Sequence, residues 1–171
     1  MSANPPTTAP ATSAATRAPA LPAPAPTLAD LTTRTGLDVL GHLERQVTVP
    51  VSGGLQAQGD LLVIPVDAVP RVGLWSPGPW RDVPAAGIEL LRSAGGGNPH
   101  TLVADAGTCS WTTAVRDPVR LALGQLRCTA PVYLIHPEHG GTGIAPGTYV
   151  IRRQRERSDR VGRYANRLVA D

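Results

Sequence analysis

The segment PVYLIHPEHGGTGIAPGTYVIRRQR, residues 131–155, contains two runs that are typical of β-strands. Residues 131–136 and 148–155 carry β-branched and aromatic side chains, which favour the extended backbone. Residues 137–147 are rich in Gly and end on the turn signal Pro146-Gly147, so they predict a connection between the two strands. The segment therefore predicts a β-hairpin near the C-terminus.

Side-chain alternation along the second strand predicts a packed half and a solvent-exposed half. One face carries Tyr149 and Ile151 followed by two arginines, and the other carries Val150, one arginine and Gln154. We expect the apolar half to pack and the arginines to emerge into water. The predicted basic surface consists of Arg152, Arg153, Arg155 and Arg157.

Short apolar runs separated by Gly and Pro continue this pattern through most of the chain. They lie at residues 47–51, 60–66, 87–91, 101–104 and 119–126. Short strands at such spacing are typical of an all-β fold. We therefore expect residues 47–171 to form one β-rich domain, a small β-barrel or a β-sandwich, with which a cupin-like architecture is compatible.

The N-terminal part of the chain differs in composition. Residues 1–27 are an arm rich in Pro, Ala and Thr, which can bury too little apolar surface to offset chain entropy and is predicted to be disordered. Residues 28–46 are predicted to be a helical lead-in. One helix is expected near residues 36–45, capped by Thr35, because Leu37, Leu40 and Leu43 recur at three-residue steps.

Composition limits the class of protein. The chain has two cysteines, Cys109 and Cys128, with no C-x-x-C pair and no hydrophobic signal segment, which favours a reduced, cytoplasmic protein. No run approaches the roughly 18 apolar residues that a membrane span needs. The sequence also lacks a G-x-S-x-G hydrolase elbow and the glycine-rich phosphate-binding motifs.

Three of the four histidines lie in loops or at strand ends, and they predict a metal site. The turn His136-Pro-Glu138-His139 offers up to three donors, and His100 completes the set if residues 101–104 and 132–135 form neighbouring strands. A first-row metal takes three or four such donors at roughly 2.0 to 2.3 Å. We therefore expect a divalent cation here, with zinc as the first choice.

Two alternatives stay open for this cluster. Glu138 can simply orient His139 in a polar turn, with His136 ending a strand and His100 unrelated. If a metal is bound, four protein ligands would make a structural site. Three ligands and a water would permit Lewis-acid chemistry with Glu138 as ligand or general base, so the sequence leaves open whether the protein is an enzyme.

The Arg-rich C-terminal end suggests a partner. Residues 152–167 hold seven Arg against Glu156 and Asp159, and such a segment can dock on an acidic surface. Nucleic acid is disfavoured as that partner, because only Tyr149 and Tyr164 lie nearby and single-strand binders use aromatic platforms.

The motifs of the C-terminal part also carry a family resemblance. The frame His136-x-Glu138-His139, Pro146-Gly147, Tyr149-x-x-Arg-Arg-Gln-Arg-Glu156 and a Val-Ala-Asp171 ending is similar to that of small uncharacterised β-rich proteins met in actinobacterial and phage genomes. In that family an upstream loop often carries two histidines, whereas residues 97–100 here retain only His100. The resemblance implies a β-rich fold and a phage-related context, but no reaction.

The sequence thus supports two functions. The first is a metal-binding β-domain whose histidine cluster holds a divalent cation. The second is a non-enzymatic, phage-related or assembly-associated protein that docks on a protein partner through its Pro-rich arm and its Arg-rich C-terminal strand.

Overall fold

A computed structural model describes residues 24–75, 78–92, 97–157 and 166–168. Residues 1–23 of the predicted arm lie outside this part of the chain, as does the Val-Ala-Asp171 ending. Within it, the helical elements are α1 (Leu28–Thr35) and a 3-10 turn (Val66–Ala68). The strands are β1 (Val51–Ser52), β2 (Gln56–Gln58), β3 (Leu61–Pro65), β4 (Gly73–Leu74), β5 (Arg81–Asp82), β6 (Ile88–Arg92), β7 (Pro99–Val103), β8 (Cys109–Thr112), β9 (Val115–Arg116), β10 (Ala122–Cys128), β11 (Val132–His136), β12 (Gly140–Ile144), β13 (Gly147–Arg153), β14 (Arg155–Arg157) and β15 (Asn166–Leu168).

Two open sheets contain most of these strands. One has the order β1-β12-β11-β7-β6 and the other the order β2-β3-β13-β10-β8-β5. The pairs β4-β9 and β14-β15 form two short ladders beside them. The predicted all-β class is confirmed, and because the sheets do not close into a barrel, the sandwich alternative describes them and the cupin-like barrel does not.

The main core lies between the two sheets. Leu102 of β7 and Leu134 of β11 face it from the five-stranded sheet, while Leu126 of β10 and Ile151 of β13 face it from the six-stranded sheet. All four side chains are fully buried. The core is aliphatic for the most part, with Trp111 as its one tryptophan among the described residues.

The outer face of the five-stranded sheet is covered by α1. Val103, Tyr133 and Ile135 alternate with the inter-sheet residues, so they point to this side, where Leu28 and Leu31 of the helix pack on them. The described part of the chain therefore has three layers, helix on sheet on sheet. Neither helical element in it is long and apolar enough to cross a bilayer.

The predicted helix at residues 36–45 is wrong, because the helix α1 lies earlier in the chain and ends at Thr35. Thr27 caps its start, since its side chain accepts from the N–H of Asp30 while the Asp30 carboxylate accepts from the N–H of Thr27. Gly36 ends it in the left-handed conformation at φ 70°. Gly36, the first residue of the predicted helix, is thus the residue that ends the observed one, although Leu37 and Leu43 still pack against the core.

The predicted connection at residues 137–147 is also wrong in its middle, where β12 forms. This strand pairs with β11 from Val132↔Ile144 to His136↔Gly140, whereas β13 crosses to the other sheet and pairs with β10 and β3. The glycines that concealed the strand are required by close packing. A Cβ on Gly143 would lie 2.6 Å from the Pro50 carbonyl oxygen, and one on Gly141 would lie 2.9 Å from Val49.

The glycine in the middle of β10 gives a test of this packing. An Ala Cβ at Gly124 would lie 2.4 Å from both the Thr112 carbonyl oxygen and the Trp111 ring, so backbone or core must shift. We expect Gly124→Ala to lower the free energy of unfolding by about 1 to 3 kcal/mol in urea denaturation. Gly73→Ala is the matched control, because its Cβ meets nothing within 4 Å. Equal effects of the two changes would contradict the described packing.

Candidate metal centre

The neighbouring strands β7 and β11 bring the first two histidines together. Their register pairs Tyr133 with Val103 and Ile135 with Thr101, so the next positions along the ladder are His136 and His100. The two imidazole rings stack with centroids 4.2 Å apart and an interplanar angle of 29°. Both rings are almost completely buried at the end of the inter-sheet core.

The short turn between β11 and β12 adds two further donors. His136, Glu138 and His139 can each offer one ligand atom such that all three atoms lie within 4.8 Å of one another. The rings of His136 and His139 stack at 4.5 Å, and Glu138 and His139 are solvent-exposed. Donors around tetrahedral zinc are separated by about 3.3 Å, so this cluster would contract slightly on binding a metal.

Asn98, which precedes β7, holds the side chain of Glu138. The side-chain amide of Asn98 donates to Glu138 Oε1 at 2.9 Å. The backbone N–H of Glu138 in turn donates to Nδ1 of His136 at 3.2 Å. These two bonds orient the acidic side chain and the His136 ring within the same turn.

His100 occupies a position behind the cluster. Its Nδ1 lies 3.2 Å from Oε1 of Gln58, and its Nε2 lies 2.9 Å from Oδ1 of Asp60. Both ring nitrogens are therefore engaged by side chains that are themselves buried. This geometry gives His100 a supporting position against the His136 ring rather than a ligand position.

The orientation of Gln58 fixes the proton on His100. The amide nitrogen of Gln58 donates to the carbonyl oxygens of Leu134 and Gly140 at 3.2 and 3.3 Å and to Oγ1 of Thr142 at 3.1 Å. Its oxygen must then face His100, so Nδ1 of that ring is the donor. Nε2 of the ring faces Oδ1 of Asp60 at 2.9 Å, a separation that forms an ion pair when the ring is protonated.

Sequence reasoning missed Gln58, Asp60 and Asn98. The hairpin of β2 and β3 places the first two, because Gln58 pairs with Leu61 across the two-residue turn Gly59-Asp60, in which Gly59 has φ 53°. A Gly-Asp pair before an apolar run is a turn signal. Nothing local, however, indicates that this turn closes over a histidine 40 residues away.

The predicted basic surface is only partly present. The side chain of Arg152 is 17% exposed, and its Nη2 lies 2.8 Å from Asp117 Oδ1. Arg153 is half-buried, and Arg155 is exposed. The side chain of Arg157 lies outside the described part of the structure.

Cys109 does not belong to the histidine cluster. It lies opposite Cys128 in the β8–β10 ladder, within the core between the sheets. Burial, with smaller contributions from Cys128 and Asp82, raises the pKa of its thiol to about 12. The thiolate that a metal or an electrophile requires is therefore disfavoured, and Cys109 packs as a small apolar residue.

Comparisons with known proteins give a family without an activity. A family described as a domain of unknown function, DUF8820, matches residues 57–154. This span starts next to Gln58 and contains Asp60, His100 and the whole turn from His136 to His139, whereas α1 lies outside it. No curated protein and no solved structure matches the chain.

A double-mutant cycle tests the buried pair. His100→Leu or Asp60→Leu alone leaves one polar partner buried, and we expect each to cost about 3 to 5 kcal/mol of unfolding free energy. The double variant should cost less than the sum by at least about 1 kcal/mol, because neither partner then remains. Urea denaturation in the presence of a chelator measures this without a contribution from metal. Additive effects would show that the two side chains do not interact.

Proposed function

Because this chain belongs to the DUF8820 family, whose function is unknown, its activity must be inferred from the site, and we propose that it binds a divalent transition metal. The proposed ligands are His136, Glu138 and His139, and zinc is the first choice among metals. The observation that carries the proposal is the convergence of two imidazoles and one carboxylate within 4.8 Å in a single turn. Imidazole and carboxylate are donors that zinc prefers in proteins.

The surroundings of the turn support this assignment. Metal-ligating side chains are held in orientation by hydrogen bonds from residues that do not touch the metal. Asn98 supplies such a bond to Glu138, and the stacked His100 ring, fixed by Gln58 and Asp60, supports His136 from behind. These contacts hold the residues around the turn in place, while the turn itself adjusts when the metal binds.

The hydrogen bond at His136 sets a chemical condition on binding. When its ring is neutral and Nδ1 accepts from Glu138, the ring proton resides on Nε2. A metal must either replace that backbone donor at Nδ1 or bind Nε2 after the proton has moved. Ligation by His136 thus rearranges the turn, in keeping with the contraction that the donor separation requires.

Three protein donors fill three of the four positions of tetrahedral zinc, which leaves one for water or another ligand. A groove of about 180 Å³ lies beside His139, lined by apolar side chains that include Leu28, Leu43 and Val49. Substrate pockets commonly measure about 300 to 1,000 Å³. The small size of the groove favours metal binding as the function over turnover of a sizeable substrate.

The docking alternative has less support. Residues 1–23 of the arm lie outside the described structure, and Arg152, one of the four arginines proposed for the contact, is committed to Asp117. Among these four arginines, Arg155 is exposed. It donates to the Val119 carbonyl oxygen at 3.1 Å. A phage-related role thus stays a proposal from resemblance alone.

Zinc titration of the purified full chain tests the proposed function. We expect about one zinc per chain by isothermal titration calorimetry, with affinity reduced more than about a hundredfold in His139→Ala and substantially in Glu138→Gln. Both residues are exposed, so neither change should unfold the protein. His42→Ala removes another exposed histidine outside the cluster and should leave affinity unchanged.

Cobalt substitution provides a second readout for the same site. A bound Co²⁺ should give visible absorption that is lost in His139→Ala and kept in His42→Ala. Absence of saturable zinc binding, or equal affinity in the two histidine variants, would refute the proposal.

A further inference from the structure

A basic and aromatic groove lies beside the short ladder of β4 and β9. It has a volume of about 530 Å³ and is lined by Trp75, Arg116, Asp117 and Arg120 among others. None of these residues belongs to the histidine cluster. We refer to this feature as the Trp75 groove.

Trp75 presents its indole at the surface of this groove. The residue is 59% exposed in a chain with only 4% aromatic residues. Its backbone N–H donates to the Ala114 carbonyl oxygen at 2.9 Å, next to the Leu74↔Val115 pair of the ladder. The guanidinium carbon of Arg116 lies 5.7 Å from the indole centroid. The ladder thus fixes the Arg116 cation over the Trp75 ring.

The acidic residue of the groove does not oppose this positive charge. The Asp117 carboxylate accepts from the backbone N–H groups of Val119, Leu121 and Ala122, and it pairs with Arg152. Burial alone would raise the pKa of Asp117, but these hydrogen bonds and the charge of Arg152 lower it. The carboxylate is thus committed to the loop that it organises, while Arg116 and Arg120 stay exposed.

Arg120 is held in a conformation that ordinarily suits glycine. Its φ is 55°, the one positive value at a non-glycine residue among the described residues. Its N–H donates to the Asp117 carbonyl oxygen at 3.0 Å, which closes the turn that bends it this way. Left-handed backbone at a residue with a Cβ is strained, and such strain is concentrated at functional positions.

A second groove extends the basic surface past the same loop. It has a volume of about 300 Å³, shares Asp117 and Pro118 with the Trp75 groove and adds the exposed Arg71. Arginines therefore line both of the grooves that share Asp117 and Pro118. This arrangement suits an extended anion rather than a single small one.

We propose that the Trp75 groove binds single-stranded nucleic acid, with a base stacked on Trp75 and backbone phosphates paired with Arg116 and Arg120. Sequence-tolerant single-strand binders combine these two elements, an aromatic platform and a positively charged track. A duplex would fit poorly because its base faces are already stacked inside the helix. An acidic peptide could pair with the arginines but would leave the exposed indole without a matching group.

The proposal revises the expectation drawn from the sequence. That expectation disfavoured nucleic acid because only Tyr149 and Tyr164 lie near the C-terminal arginines along the chain. The fold instead places Trp75 beside Arg116 and Arg120, which lie more than 40 positions away in the sequence. The relevant aromatic residue therefore lies just after β4, far in the sequence from the strand that suggested a basic surface.

Binding of a fluorescently labelled oligothymidylate to the full chain, followed by anisotropy, tests the proposal. We expect saturable binding that weakens steeply with salt. Trp75→Ala should weaken it about tenfold or more, because one stacked base is lost. Arg120→Gly should weaken it and reduce the slope of log affinity against log salt by about 0.7, the loss of one phosphate contact on a single strand.

Arg120→Gly also separates function from folding. Glycine adopts φ 55° without strain, so the melting temperature of this variant should equal or exceed that of the wild type while affinity falls. The matched control is Arg127→Ala, which removes an arginine that stacks on Trp80 at 3.6 Å and does not line the groove. Its affinity should stay within about twofold of the wild type.

Each of the following results would overturn the proposal. The first is wild-type affinity in both Trp75→Ala and Arg120→Gly. The others are competition by polyglutamate, or by a duplex of the same length, that is as effective as competition by unlabelled oligothymidylate. Binding of thymidine monophosphate as tight as that of the oligonucleotide would also reject an extended strand as the occupant.

Discussion

The pairing of β7 with β11 is the constraint on which the layers and the histidine cluster both depend. One register places Leu102 and Leu134 in the core between the sheets and turns Val103 and Tyr133 toward α1. The same register brings His100 next to the His136 position at the end of the ladder. A slip by one residue would exchange the two faces of β7, bury polar groups beneath the helix and separate the rings. Apolar packing on both faces of this sheet therefore specifies the geometry of a polar site.

The network of Gln58, His100 and Asp60 contributes more to the specificity of the fold than to its net free energy of unfolding. Burying an imidazole and a carboxyl costs desolvation energy that their mutual attraction roughly offsets, so an apolar pair of similar volume could be as stable. The side-chain nitrogen of Gln58 donates to acceptors on β11 and β12. A fully partnered network of this kind rigidifies its surroundings. It also joins the β2–β3 turn of one sheet to the β11–β12 hairpin of the other, immediately behind the proposed metal ligands.

Patterns that depend on neighbouring residues were predictable from the sequence, and partners distant in the chain were not. Alternating β-branched runs gave strands close to β3, β6, β7, β11 and β13, and the residue types of the 136–139 turn indicated a cluster. The strand β12 was not predicted, because its glycines carry no side-chain pattern. They are required by the close approach of the segment at Val49 and Pro50. The leucine spacing at residues 37–43 predicted a helix, but Leu37 and Leu43 pack from a segment without helix that follows the Gly36 cap. The supporting roles of Gln58 and Asp60 depend on sheet pairing and carry no local signal.

The absence of lysine shapes what the charged surface of this protein can do. All 16 cationic side chains in the sequence are arginine, whose planar guanidinium stacks on aromatic faces and pairs bidentately with carboxylate or phosphate. Two of the three tryptophans, Trp75 and Trp80, lie beneath such a group. Where the indole is largely covered, as at Trp80, the stack contributes to the fold. Where more than half of it remains exposed, as at Trp75, the stack holds a ring face ready for a second planar group, because the arginine alone does not cover it.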